Sequence, residues 1–298
     1  MESKNDTVLI IGAGASCPYS FPTATGLREM IMGELPHAFR APENFPAPTG
    51  YYSLAQFIER RLPAGTTVED LHRFQREFRE SQVYSIDRFV YYRREFESIA
   101  KYYISLILLF CESVRRPEGN WYQQIWNELV LSKYDSGQVL EIITFNYDRS
   151  LEMYLELASK ACFGSDVSIL RRIRISHVYG QLGSLDGELP VEYGNHRLAE
   201  RAAESIKLIP PRAEAQPNIQ TIITQSRKLI FLGFGFDELN LQVLGINKEN
   251  APPIIYATRK GLSANAVCRA NELMPSINWA SPDHDVRAFL HEFDILGA

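Results

Sequence analysis

The chain has few cysteines, and their spacing suits neither a disulfide framework nor a zinc ribbon. There are four in 298 residues, and they lie far apart, at Cys17, Cys111, Cys162 and Cys268. Small disulfide-rich domains and CxxC zinc sites both need cysteines in close pairs. The spacing therefore argues against both, no metal site is expected, and the cysteines are predicted to be core residues.

Long apolar runs and an excess of positive charge are also missing, and no signal peptide is expected. The longest apolar run, Ile104 to Cys111, is far shorter than the roughly 18 residues that a membrane span needs. The opening MESKNDTVLIIGAG lacks the apolar stretch of a signal peptide. Lys and Arg number 31 against 36 Asp and Glu, a net charge of −5, so nucleic acid is not expected as a direct partner. We expect a cytoplasmic protein without membrane contact.

The chain also lacks the full dinucleotide-binding fingerprint of dehydrogenases. Val8–Ser16 reads VLIIGAGAS, which predicts a buried parallel strand, a glycine turn and then a helix. Gly12 and Gly14 carry no Cβ to hold the backbone away from a ligand, so this loop is predicted to cradle the diphosphate of a dinucleotide. Cys17 stands where GxGxxG has its third glycine. No second strand with a terminal acid follows, which argues against an ordinary hydride-transfer dehydrogenase.

The middle of the chain shows helical spacing alone. After a helix that Thr23 or Thr25 caps and that runs to about Leu35, residues 36–50 are rich in proline and predict an irregular connection. From Tyr51 to about Lys133 the apolar residues recur at three- and four-residue steps, which predicts helices without strands.

Strand patterns return in the second half and alternate with helical patterns. The predicted strands cover residues 139–145, 173–178, 206–210, 228–232, 253–257 and, as a possible edge strand, 276–280. This alternation predicts an α/β fold: a Rossmann-like, mostly parallel sheet with helices on both faces and a large all-helical insertion after the first strand unit. The predicted division is an α/β domain of residues 1–35 and 134–298 and a helical insertion of residues 36–133.

Unusual residues stand at the end of predicted strands in four segments. These are GAGAS at 12–16, NYD at 146–148, SHVYGQLGSL from Ser176, and GFGFDELN at 233–240. Ligands of open parallel sheets bind beyond the carboxyl ends of the strands, so all four are expected along one edge. Each has a structural alternative: Asn146 and Asp148 could cap a helix, His177 could be a structural histidine, and the last segment could be a tight turn with Asp237 as a cap.

In this order the segments resemble the sirtuin-like NAD-consuming proteins, and most of all the bacterial sirtuin-like NAD hydrolases of anti-phage defence. The residues that carry the resemblance are GAGAS, then Thr144, Asn146, Tyr147 and Asp148, then His177 with Gly180, and finally Gly233, Gly235, Phe236, Asp237 and Glu238. The resemblance covers roughly residues 7–27 and 138–260.

The resemblance implies that NAD is bound as a substrate, without a metal. It gives catalytic roles to Asn146, which would hold the attacking water or the ribose, and to His177, which would bind a ribose hydroxyl and act as a general base. Asp148 would lie near the nicotinamide carboxamide. The residues that it implies against NAD are Gly12, Ala13, Gly14, Ala15, Ser16, Thr23, Asp148, Gly233, Phe234, Gly235 and Phe236.

The function that this implies is an NAD glycohydrolase that releases ADP-ribose and nicotinamide and depletes NAD during abortive infection. Such an activity must be restrained, so a homo-oligomer, a separate regulatory subunit or both are expected. Two alternatives stay open: a protein deacylase or ADP-ribosyltransferase, although the paired zinc cysteines of deacylases are missing, and a non-catalytic module that senses NAD or ADP-ribose. The partner surface is expected on the insertion because of its aromatic residues, which include Tyr51, Tyr52, Tyr91, Tyr92, Tyr102, Tyr103, Trp121 and Trp126.

Overall fold

A single six-stranded parallel sheet forms the centre of the molecule. A computed structural model describes residues 7–34, 54–83, 85–114, 117–131, 139–166, 168–208 and 215–293. The strands are β1 (Thr7–Ile11), β2 (Leu140–Thr144), β3 (Ile173–His177), β4 (Lys228–Leu232), β5 (Ile254–Ala257) and β6 (Ile277–Trp279). Their order across the sheet is β3-β2-β1-β4-β5-β6, and all neighbours run parallel. The predicted α/β, Rossmann-like class is confirmed.

The sheet is buried on both faces, as the unbroken apolar run of β1 predicts. Alternate side chains of a strand point to opposite faces. Accordingly Leu9 and Ile11 belong to one hydrophobic core, and Val8 and Ile10 belong to another. Burial on both faces explains why β1 reads as continuously apolar instead of alternating with polar residues.

Twelve α-helices surround the sheet in the described part of the chain. They are α1 (Ala24–Ile31), α2 (Leu54–Glu59), α3 (Val68–Glu80), α4 (Ile86–Tyr92), α5 (Glu97–Val114), α6 (Asn120–Ile125), α7 (Ser150–Phe163), α8 (Ala199–Glu204), α9 (Pro217–Gln225), α10 (Glu238–Leu244), α11 (Ala264–Leu273) and α12 (Val286–Glu292). Helix α1 starts where predicted, because Thr23 Oγ1 accepts a hydrogen bond from Gly26 N–H at 3.2 Å. It ends at Ile31 instead of Leu35.

The insertion is helical wherever the structure describes it, which confirms that prediction. Helices α2–α6 pack in the same hydrophobic core as the sheet face that carries Leu9 and Ile11. Of its aromatic residues, Tyr102, Tyr103, Trp121 and Trp126 are buried, whereas Tyr91 and Tyr92 are exposed. Tyr51, Tyr52 and the proline-rich residues 36–50 lie outside the described residues. Of the six that the structure describes, four therefore belong to the core and two are exposed.

Two predicted elements near the end of the chain differ from the structure. Residues 206–208 form no strand, because Lys207 N–H bonds to the carbonyl of Tyr179 at 2.8 Å outside the sheet; residues 209 and 210 lie outside the description. The last helix begins at Val286, after Pro282, since Asp285 caps it by accepting from Ala288 N–H at 2.9 Å. The edge strand was predicted correctly, as β6. None of the described helices combines the length and apolarity that crossing a bilayer requires.

Candidate functional site

The candidate site lies at the carboxyl edge of the sheet, next to the point where the strand order reverses. Strand β1 has β2 on one side and β4 on the other, and in such sheets the loops that leave two oppositely wound neighbours open a crevice. A cavity at this edge is lined by Ile11, Ser16, Tyr122, Thr144, Asn146, Asp148, Leu151, Glu152, Ile175 and His177. The residues that were predicted to act on the ribose therefore do converge.

The cavity is small. The cavity has a volume of about 10 Å³, which is room for about one water molecule. Pockets for small molecules typically enclose roughly 300 Å³ or more. The cavity fits one water molecule, and a dinucleotide would require the loops at this edge to part.

Glycines at the two loop ends allow the backbones after β1 and β4 to touch. A Cβ on Gly12 would lie 2.7 Å from the carbonyl oxygen of Gly233 and 2.7 Å from Cα of Phe234. Gly233 has φ +58°, and a Cβ there would lie 2.0 Å from Ala15 N. These glycines are thus required by loop-to-loop packing, and their contact with a phosphate stays a prediction.

The backbone N–H groups of the β1 loop are mostly occupied. Gly12 donates to the carbonyl of Leu232, and Gly14 donates to that of Gly233, both at 3.0 Å. The N–H groups of Ala15 and Ser16 bond within the loop itself. Within the described part of the chain, Ala13 N–H is the one backbone donor of residues 12–16 without a hydrogen bond, so this loop shape offers a phosphate one donor.

Asn146 has a fixed amide orientation and an unused acceptor. Its Nδ2 donates to the carbonyl of Gly12 at 3.2 Å and to Ser16 Oγ at 2.9 Å. A carbonyl oxygen can only accept, so the NH₂ group must face it. Asn146 Oδ1 is buried and finds no hydrogen-bond partner in the described structure. A buried acceptor without a partner is costly and calls for a water or hydroxyl donor.

Asp148 is the acceptor at which the surrounding hydrogen bonds end. Its Oδ2 accepts from Ser16 Oγ at 2.9 Å, and its Oδ1 accepts from the N–H of Ser150 at 3.2 Å and from the Ser150 hydroxyl. Tyr122 joins the network through a 2.7 Å bond between its hydroxyl and Ser150 Oγ. Burial raises the pKa of Asp148, although the bonds from Ser150 and Ser16 oppose this. Both carboxylate oxygens are engaged within the protein.

His177 is held at both ring nitrogens. Nδ1 lies 2.8 Å from the carbonyl oxygen of Asn146, and Nε2 lies 2.5 Å from Glu152 Oε1. Burial acts to lower the pKa of His177, but the hydrogen bond and charge of Glu152, with smaller contributions from the Asn146 carbonyl and from Asp148, raise it overall. A raised pKa with two acceptors around the ring favours the doubly protonated imidazolium.

The remaining predicted ligand contacts are less open to a nucleotide. The rings of Phe234 and Phe236 are buried in the second core, where Phe231 packs against both. Gly235 is exposed and has open space around it. Thr23 caps α1, does not line the cavity and is exposed. The structural alternative for Asp237 is confirmed, since it caps α10 by accepting from Leu239 N–H at 3.0 Å.

The insertion forms one wall of the site. Trp121 Nε1 donates to the carbonyl of Ala15 at 2.8 Å, and the ring of Tyr122 stacks on Tyr19 with centroids 3.7 Å apart. Below the site, Arg149 is fully buried and bonds through Nε and Nη2 to both carboxylate oxygens of Glu112 on α5, at 3.1 and 2.7 Å. The insertion thus contacts the loop after β1 and the start of α7.

Three members of the site do not stand out in the sequence: Tyr122, Ser150 and Glu152. Glu152 could be found by its position, because it lies in the first turn of α7, the helix that follows the NYD segment. Tyr122 comes from a distant helix of the insertion, and no local pattern marks it. No protein-family model and no curated protein matches this chain.

Proposed function

We propose that this chain hydrolyses the bond between nicotinamide and ribose in NAD. The observation that carries the proposal is the buried, unpartnered Oδ1 of Asn146, a residue that lines a cavity with room for about one water. An acceptor at that point would orient a water molecule through its hydrogen. The order of motifs, which resembles the sirtuin-like NAD hydrolases, supplies the substrate.

The reaction suits a cavity of this kind. The water oxygen forms a bond to the anomeric carbon of the ribose as the carbon–nitrogen bond breaks. That electron pair goes to the ring nitrogen, so nicotinamide leaves as a neutral molecule, and a base takes the proton from water. Positive charge grows on the sugar in the transition state, and polar groups that are already fixed in place stabilise it at little cost of reorganisation.

The network explains how Asn146 is fixed. Its NH₂ group is held by the carbonyl of Gly12 and by Ser16 Oγ, and Ser16 is held in turn by Asp148. Because the NH₂ group is committed to these partners, the amide keeps one orientation and Oδ1 is left as its unused acceptor. Positioning of this kind contributes to rate because a misplacement of about 1 Å can cost roughly 100-fold.

Nicotinamide release is the test. Purified protein, alone and with candidate regulatory partners, is incubated with NAD while nicotinamide and ADP-ribose are separated by chromatography. Asn146→Ala is expected to lower kcat about 100-fold or more, whereas Asn127→Ala, an exposed asparagine on the insertion, should match the wild type. NAD that stays intact under every condition would refute hydrolysis, and nicotinamide release only with an added acceptor would indicate a transferase or deacylase.

A second candidate is a module that binds NAD or ADP-ribose without turnover. It is favoured by the engagement of both His177 nitrogens and by the small cavity. It predicts a ligand-dependent rise in melting temperature with no nicotinamide release. In either case the proposed setting is anti-phage defence, in which assembly or a regulatory subunit controls the site.

A further inference from the structure

The contact between His177 and Glu152 determines where a proton can go in this site. The carbonyl of Asn146 only accepts, so His177 Nδ1 must carry a hydrogen. His177 Nε2 lies 2.5 Å from Glu152 Oε1, so one proton must lie between the ring nitrogen and the carboxylate oxygen. Neither ring nitrogen then has a lone pair open to a further proton.

The other polar groups of the cavity are committed as well. Asp148 accepts hydrogen bonds at both oxygens, from Ser16 and Ser150, and is only 8% exposed, so a proton taken up there has no direct route to solvent. Tyr122 shares a hydrogen bond with Ser150, and burial raises its pKa well above the usual value. An amide such as that of Asn146 does not take up protons near neutral pH.

Glu152 differs from these groups. Its bond to His177 uses Oε1 alone, which leaves Oε2. Its side chain is 22% exposed against 7% for that of His177, so a proton on this carboxylate can pass to solvent. It lines the same cavity as Asn146, where there is room for about one water molecule.

We propose that Glu152, and not His177, accepts the proton of the attacking water. This inference rests on the proposed NAD hydrolysis. As the water oxygen bonds to the anomeric carbon and nicotinamide leaves with the electron pair, the water proton moves to Glu152 Oε2 and then to solvent. His177 stays protonated throughout and is a positioning residue that holds the carboxylate through Oε1.

The kinetic test compares Glu152→Gln with a matched control on the same helix. Glu156 lies one turn further along α7, where it pairs with Lys160 at the surface, so Glu156→Gln should behave as the wild type. We expect Glu152→Gln to lower kcat about 100-fold or more with little change in KM for NAD. In Glu152→Ala, sodium formate should restore part of the rate, because a free carboxylate can replace the missing one.

The outcomes separate this inference from the function on which it rests. A wild type that releases nicotinamide while Glu152→Gln does so equally fast overturns the role of Glu152 alone. So does formate that restores nothing in a Glu152→Ala variant that still binds NAD. A wild type that releases no nicotinamide under any condition overturns hydrolysis, and the role of Glu152 with it.

A spectroscopic measurement tests the pair without turnover. Nitrogen-15 NMR of His177 should show both ring nitrogens protonated at pH 7.5 in the wild type and in Glu156→Gln, and one protonated nitrogen in Glu152→Gln. The charged groups nearest the ring are Glu152 and Asp148, so the comparison isolates the first of them. A wild-type ring with a bare Nε2 at that pH would overturn the proposal.

Discussion

At the residue scale, the site is a chain of side chains that fix one another. Tyr122, Ser150, Asp148, Ser16 and Asn146 follow one another through hydrogen bonds. Donors point toward the carboxylate of Asp148 from both sides. Networks of this kind are stabilising only when every member is satisfied. Within the described residues, the one buried atom of this network without a partner is the amide oxygen of Asn146.

The ion pair of His177 predicts a pH dependence of stability. Its pKa is raised in the folded protein, so the stabilisation is fully present below about pH 6.5, the unfolded value, and is lost as the pH rises through the folded value. His177→Gln is expected to destabilise the protein more at pH 6 than at pH 9. Chemical denaturation at both pH values measures it.

The control for that prediction is His284→Gln. His284 Nδ1 lies 2.7 Å from Glu292 Oε2 at the surface. Both side chains are more than a third exposed (38% and 34%). Solvent screens such pairs, and they contribute little. Equal destabilisation by His177→Gln at pH 6 and pH 9 would mean that the ring is not held as a cation.

The sequence reveals part of this site and hides the rest for a physical reason. Asn146, Asp148 and His177 follow strands, and parallel topology brings strand ends together, so their convergence could be predicted. The sequence does not show that the Asn146 amide and the ring of His177 are already hydrogen-bonded within the protein, because these bonds depend on side-chain geometry. No spacing rule encodes that the rings of Phe234 and Phe236 turn into the core.

At the scale of elements, the loops after β1 and β4 act as one packed unit. Gly12→Ala would drive a Cβ to within 2.7 Å of backbone atoms of Gly233 and Phe234, which cannot move aside as a flexible side chain could. Overpacking of this kind typically costs about 1–3 kcal/mol. Urea denaturation should show that loss in Gly12→Ala.

Gly235→Ala is the matched control from the same pair of loops. Its added Cβ would meet nothing within 4 Å, so its free energy of unfolding should stay within about 0.5 kcal/mol of the wild type. A Gly12→Ala variant as stable as Gly235→Ala would show that the two loops separate readily in solution.

The elements themselves were largely predictable, and their ends were less so. The apolar run of β1 and the capping residue of α1 fix where those elements start. The helix ended at Ile31, before the proline that suggested Leu35, because propensity does not say where tertiary packing stops. The absent strand after α8 shows the same limit: IKLIP has a strand pattern, yet Lys207 bonds to Tyr179 outside the sheet.

At the scale of the whole molecule, the insertion and the sheet are joined by a buried ion pair. Glu112 on α5 and Arg149 at the start of α7 have side chains 0% and 1% exposed. Glu112→Gln leaves the guanidinium without its counter-charge in the interior and is expected to cost about 3–5 kcal/mol. Thermal unfolding should show a correspondingly lower Tm.

Two comparisons make that prediction specific. Glu97→Gln removes a surface pair with Lys101 on the same helix and should change stability by less than about 1 kcal/mol. The double replacement Glu112→Met with Arg149→Met removes both charges and should recover much of the loss. If Glu112→Gln and Glu97→Gln were equally mild, the pair would not hold the insertion to the sheet.

The same ion pair bears on attempts to cut the protein down to a minimal scaffold. A shortened gene in which a short linker replaces the helical segment would delete the anion and leave Arg149 without its counter-charge, bonded to the carbonyls of Gly183 and Val191. Such a truncated product should be recovered from inclusion bodies unless Arg149 is exchanged for a neutral side chain. The helical insertion is therefore an integral part of the fold, because it shares a hydrophobic core and a buried ion pair with the α/β part.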